Sequence, residues 1–200
     1  SLNNCSSLTH ITFGYYFNQP LANSLNNCSS LTHIVFDHSC DQITFGDSFN
    51  QSLTNSLDNC TKLTHIVFGQ NFNHSLANSL DNCTSLTHIV FGLDFSQPLG
   101  NSLDNCTALT HITFGFEFNH PLANFLNNCT SLTHLGLGSS FYQKLDLPCN
   151  IRSLSLNCNN TYLIDYLPNN IVELELGFDF NLELDNLPSS IKKITFDKCS

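Results

Sequence analysis

Methionine and tryptophan are absent from this 200-residue chain, and basic residues are absent from most of it. With no methionine, and with Ser1-Leu2-Asn3-Asn4-Cys5 entering a repeated motif already in phase, the chain is expected to be part of a longer product, truncated at the N-terminus with its cap and any targeting signal out of view. Lysine and arginine number 6 against 16 acidic residues, giving a net charge of −10, and Lys62 is the one Lys or Arg between Ser1 and Gln143. Phosphate binding needs clustered basic groups that release counterions, so nucleic acid is not expected as a partner. No stretch approaches the roughly 20 apolar residues that cross a bilayer, so no membrane partner is expected either. Among the 10 cysteines there is no Cys-x-x-Cys pair, the spacing on which a structural zinc site is commonly built.

A repeated unit fills the chain instead. Its Leu-Thr-His triplet carries His10, His33, His65, His88, His111 and His134, at spacings of 23, 32, 23, 23 and 23 residues. The one departure is nine residues, an insert within 37–45. From residue 145 the unit shortens, with Ile151, Ile171 and Ile191 spaced by 20. Repeats stabilised by their neighbours form a stack with no single central core, so one repeat domain is expected over 1–200, with coils of 23 residues over 1–144 and of 20 over 145–200.

Within a coil, Leu8-Thr9-His10-Ile11-Thr12-Phe13 alternates in the period of a strand, with Ile11 and Phe13 inward and His10 and Thr12 outward. Stacking such strands about 4.8 Å apart makes one parallel sheet along one wall. After Gly14 the spacing of Phe17, Leu21, Leu25 and Cys28 suits one helical face, and Asn18 is placed to cap it ahead of Pro20. Asn and Ser are dense there, however, so the opposite wall is expected to hold only short helical or 3₁₀ turns, or coil.

Identical coils turn each column into a ladder. Cys5, Cys28, Cys60, Cys83, Cys106 and Cys129 suit a tight buried corner as free thiols, since parallel side chains about 4.8 Å apart exceed the separation that bridged cysteines need. Reduced thiols imply an intracellular, cytoplasmic location. Asn4, Asn27, Asn59, Asn82, Asn105 and Asn128 each begin a glycosylation sequon, but one duplicated coincidence explains all six, and an Asn bonding turn backbone is the simpler reading. Two phenylalanine columns, which include Phe91, Phe114, Phe95 and Phe118, read as core. The threonine column from Thr9 to Thr133 is a candidate for ordering water. The histidine column tempts a metal reading, yet a straight comb offers no converging ligands, and neither metal nor cofactor is expected.

Phe17-Asn18-Gln19-Pro20-Leu21 and Phe118-Asn119-His120-Pro121-Leu122, with the Ser-Leu-Thr-His-Ile-Val-Phe-Gly run that follows such steps, resemble the FNIP repeat family. That family is similar to leucine-rich repeats and is abundant in social amoebae and in giant viruses that infect them. Ser52 and Ser75 depart from its Pro, and Ser96 from its Asn. The resemblance implies a β-rich leucine-rich-repeat-like solenoid. Some members join the repeats to an F-box, which implies a substrate-recognition role with ubiquitin-ligase components as partners. It brings no catalytic residues.

A solenoid of this kind reads as a protein-protein interaction scaffold and not an enzyme. The candidate binding face is the outward strand positions: His65 and Val67, His88 and Val90, His111 and Thr113, His134, then Glu173 and Glu175, then Lys193. It runs from imidazole and aliphatic to acidic to basic. His38, Cys40 and Asp41 in the insert form a second candidate contact. The alternative is a carbohydrate-active enzyme on a parallel β-helix, which wants a unique pair of carboxylates. Asp58, Asp81 and Asp104 are one repeated position and supply no such pair.

Overall fold

Among the described residues of the computed structural model, nine short strands stack in chain order into one parallel sheet. The structure describes residues 2, 4–14, 16–21, 23–36, 48–178 and 180–197, without the side chains of Phe36, Ala123, Asn124 and Asn127. The insert residues His38, Cys40 and Asp41 lie outside the described residues. The strands are β1 (His10–Phe13), β2 (His33–Phe36), β3 (His65–Val67), β4 (His88–Val90) and β5 (His111–Thr113). They continue as β6 (His134–Leu137), β7 (Ser153–Leu156), β8 (Glu173–Leu176) and β9 (Lys193–Phe196). Histidine pairs with histidine from β1 to β6, and the longer interval between His33 and His65 leaves that register intact.

The alternation expected from the sequence is present. Ile34, Ile66, Ile89, Ile112, Leu135, Leu154 and Leu174 are buried in one inward column, while Val90 and Thr113 on the same strands face out. Behind the sheet runs the aromatic spine, in which Phe72, Phe95, Phe118 and Phe141 stack with centroids 6.0–6.4 Å apart and planes within 6°. Phe91 and Phe114 stack on the same rings from the strand side, at 4.0 Å. On β9 every residue is exposed, Ile194 and Phe196 included, because no further coil packs beyond it among the described residues.

The opposite wall is mostly turns. Among the described residues two short helices interrupt it, α1 (Ala123–Asn128) and α2 (Thr161–Asp165). Asn160 caps α2 by accepting from the Leu163 N–H, and its amide donates to the Phe141 and Gln143 carbonyls, which is why a buried asparagine is tolerated there. Elsewhere Asn23, Asn55 and Asn78 sit at positive φ, a conformation that asparagine tolerates and that ends any helix.

Asn18 does not cap a helix. Its Oδ1 accepts from the Asn50 backbone N–H one coil on, at 3.0 Å. Asn50 does the same for Asn73, Asn73 for Ser96, and Asn119 for Tyr142, each at 3.0 Å. The Asn of this motif is therefore a rung between coils, and Ser96 is the place where its side chain is missing. Gln97 and Gln143 strengthen the ladder by donating to the same oxygens.

The cysteine column is buried from Cys28 to Cys129. Cys60 Sγ donates to the Leu25 carbonyl and Cys106 Sγ to that of Leu80. Burial first, then neighbouring thiols and aspartates, pushes Cys60 and Cys106 up to about 12, so these side chains behave as small apolar groups and not as nucleophiles.

Candidate functional site

The strand face is two outward columns side by side. One runs His10, His33, His65, His88, His111, His134, Ser153, Glu173 and Lys193; its neighbour carries Val67, Val90, Thr113, Gly136, Ser155, Glu175 and Thr195. Register alone brings the candidate residues of the face together, in the order of the coils. The six imidazoles stack face to face, with centroids 3.8–4.4 Å apart and planes within 14°.

A hydrogen-bond network sets their chemistry. The hydroxyls of Thr32, Thr64, Thr87, Thr110 and Thr133 each donate to the carbonyl of the threonine one coil back, at 2.9–3.3 Å. Each hydroxyl oxygen also lies 2.8–2.9 Å from Nδ1 of the histidine that follows it. A hydroxyl has one proton, and it is already committed to the carbonyl, so the hydroxyl must accept from the ring. The neutral rings of His33, His65, His88, His111 and His134 are thereby assigned as Nδ1–H tautomers with a lone pair on Nε2. Among the described residues the Ser56 hydroxyl is the sole buried polar side-chain atom without a partner, so these unpartnered Nε2 atoms meet solvent. The threonines are thus consumed in structure, which removes them as a water-ordering row.

Stacking also makes protonation costly. Burial, then the neighbouring imidazoles, hold His33, His65 and His88 below the usual histidine range, and the same causes bring His111 down to about 4. Unfolded histidines titrate near 6.5. Between those values the unfolded chain binds more protons than the folded one, so stability contributed by the neutral ladder is present above about pH 6.5 and is lost as pH falls toward 4. Melting followed by circular dichroism is expected to show a fall of at least several °C from pH 7 to 5. The fall should shrink when His88 and His111 are replaced by Ser; an unchanged melting point across that range would sink the linkage.

The comb does not converge on a metal: parallel rings send their Nε2 lone pairs outward side by side. Among the described residues no group of three or more His, Cys, Asp or Glu is placed to hold an ion.

The face is not level. Gly136, Ser153 and Ser155 follow the histidines, and their small side chains leave a notch of about 180 Å³ walled by His111 and His134 on one side and Glu175 on the other. A second hollow of about 140 Å³ adjoins it between Glu173, Glu175 and Lys193. Pattern reading found the walls but missed the notch, although the run of small outward residues was visible once the strands were aligned. It also missed a rim beyond the strand ends, where Leu93, Phe116 and Phe178, each following a glycine, are exposed, as is Tyr142 just after Phe141.

The model of the BspA type leucine rich repeat region matches residues 1–56 and 39–147 in six copies, and the FNIP repeat model matches 159–199. The Phe-Asn-x-Pro-Leu steps at 17–21 and 118–122 fall in the two BspA-type stretches and not in the FNIP match. No curated protein matches the chain. Among solved structures, CroV588, described as a novel circular LRR protein, is 34% identical with a TM-score of 0.71, over 96% of this chain and 27% of that one. The Toll–Spatzle complex of Drosophila gives 18% and 0.56, over 98% and 30%, and the TLR13–ssRNA13 complex 14% and 0.57, over 94% and 26%. The latter two share the fold alone. The chain spans less than a third of the length of each of these three.

Proposed function

Because this chain belongs to the BspA-type leucine-rich-repeat family, we propose that it is a non-enzymatic protein-protein interaction scaffold that binds through its strand face. The carrying observation is that face itself: nine strands in continuous register hold two columns of outward side chains on a rigid sheet, preformed for a contact spread over many coils. His65, Val67, His88, Val90, His111, Thr113, His134, Glu173, Glu175 and Lys193 are the proposed contacts. The whole chain is taken as one repeat domain, with the insert at His38, Cys40 and Asp41 as a second contact. Buried reduced thiols favour an intracellular setting. No helix of the described residues is long and apolar enough to cross a membrane.

Two of the structural neighbours are named as complexes, one with the protein Spatzle and one with a single-stranded RNA. For this chain a protein is the better partner, since a net charge of −10 and a face of hydrogen-bond acceptors repel phosphates. An adaptor role in a ubiquitin ligase rests on the FNIP resemblance. The parallel β-helix enzyme is not favoured, because the family is one of repeat scaffolds and the repeated aspartates form no unique pair.

The test is affinity capture with mass spectrometry, comparing the chain with a variant in which His65, His88, His111 and His134 become Ser. A protein partner captured reproducibly and lost in the variant is the expected outcome. Identical capture by both would move binding off the strand face, and ubiquitin-ligase components among the lost proteins would support the adaptor role.

A further inference from the structure

We infer that the notch between β5 and β8 is a specificity pocket for one arginine side chain of a basic segment in the protein partner, an inference that rests on the scaffold reading. The polar lining of the notch offers hydrogen-bond acceptors with no Lys or Arg among them. His111 and His134 present Nε2 lone pairs because their Nδ1 protons are committed to Thr110 and Thr133. Glu175 closes the opposite wall, and among the described residues its carboxylate has no hydrogen-bond or ion-pair partner. Ser153 and Ser155 line the floor, and hydroxyls accept as readily as they donate.

Arg152 precedes Ser153 in the chain, but its guanidinium donates to the Cys149, Ile151 and Asn170 carbonyls and does not line the notch; Lys193, opposite Glu173 on β9, lines the adjoining hollow instead. An anion would face the Glu175 carboxylate and the imidazole lone pairs, and for it or a carbonyl-rich segment the donors in the lining are the hydroxyls of Thr113, Ser153 and Ser155. A guanidinium carries five N–H donors in a planar fork and no acceptor, so it satisfies imidazole nitrogen on one side and carboxylate on the other at once. An ammonium is a compact point donor and reaches one wall at a time, so lysine should bind more weakly.

The histidine column also explains why the notch sits at this coil. From β2 to β6 the imidazoles are stacked on one another, and room opens where Ser153 takes the place of histidine while Gly136 and Ser155 continue the neighbouring column. A side chain at Gly136 would meet Thr113 at 2.8 Å, so even a methyl group there begins to fill the notch.

The probe is an unstructured peptide of alternating glycine and arginine, set against the same peptide with citrulline in place of arginine, which keeps the shape and removes the charge. Titration calorimetry on the full chain is expected to show saturable binding of the arginine peptide at low salt, at least tenfold weaker for citrulline and severalfold weaker for lysine. Glu175→Gln, an exposed and nearly isosteric change, should weaken the arginine peptide at least tenfold, and Ser155→Leu should block it by filling the floor. Equal binding of arginine and citrulline peptides, or binding indifferent to Glu175→Gln, overturns the pocket. If no basic peptide binds while a partner is still captured through the histidine face, the pocket falls and the scaffold reading stands. Should Ser155→Leu fail to fold, Glu175→Gln decides alone.

Discussion

Gly115→Ala is expected to unfold the middle of the stack. A Cβ built at Gly115 lies 1.9 Å from the Gly92 carbonyl oxygen, and the same geometry recurs at Gly92 against Gly69 and at Gly138 against Gly115, at 2.0 and 1.8 Å. The obstacle is backbone, which cannot swing aside as a side chain can. Two neighbouring coils would have to move apart by well over an ångström, and the Phe91–Phe114 and Asn ladders on either side depend on their present spacing. The cost should exceed the ~1–3 kcal/mol usual for overpacking and lie among the exceptional substitutions above about 4 kcal/mol. Gly14→Ala is the control, because a Cβ there meets nothing within 4 Å. Urea denaturation followed by circular dichroism distinguishes them. Equal midpoints for the two variants would show that the coils slide freely and that the close approach is unimportant.

Phe118→Ala should be the most damaging truncation of the spine. Its ring is fully buried, packs on Phe114 at 4.0 Å, and stacks between Phe95 and Phe141 at 6.0 and 6.4 Å. Removing it opens a cavity shared by three coils, and turns stiffened by inter-coil asparagine bonds cannot collapse into it. A loss of about 3–5 kcal/mol is expected. Phe116, two residues earlier and 45% exposed, should cost within about 0.5 kcal/mol when changed to Ala. Denaturant midpoints for the pair test whether the repeated phenylalanines differ only by where their coil places them. Comparable losses at both positions would contradict the assignment of Phe118 to the core and Phe116 to the rim. In a stack stabilised by nearest neighbours, the Phe118 variant should also broaden the transition as the two halves uncouple.

Reading Leu8-Thr9-His10-Ile11-Thr12-Phe13 as a strand, with Ile inward and His outward, needed only alternation, and the spacing of the Leu-Thr-His triplets placed every such strand beside its neighbour. The buried cysteine corner and the aromatic spine were readable for the same reason, since a column of one residue type keeps one environment where coils flank it on both sides; Cys5, in the first coil, is instead exposed. Asn18 was read differently from what is found. Its offset from Pro20 suits a helix cap, but the helix would need residues that do not compete with their own backbone, and Ala22-Asn23-Ser24 are followed by more of the same. The N–H that Asn18 satisfies belongs to residue 50, thirty-two positions on, and nothing local to Phe17-Asn18-Gln19 points to it.

The period, the two faces of each strand, the core columns and the poverty of positive charge were set by the sequence alone, because side-chain direction in a strand and net charge are local or additive properties. Which nitrogen of each histidine carries the proton was decided only when a threonine hydroxyl found a carbonyl in the coil before it. The same holds for the glycines that must lack a Cβ, for the asparagine rungs, and for the notch at Gly136, Ser153 and Ser155. Each depends on the distance between atoms of successive coils, which the stacking of the sheet alone establishes.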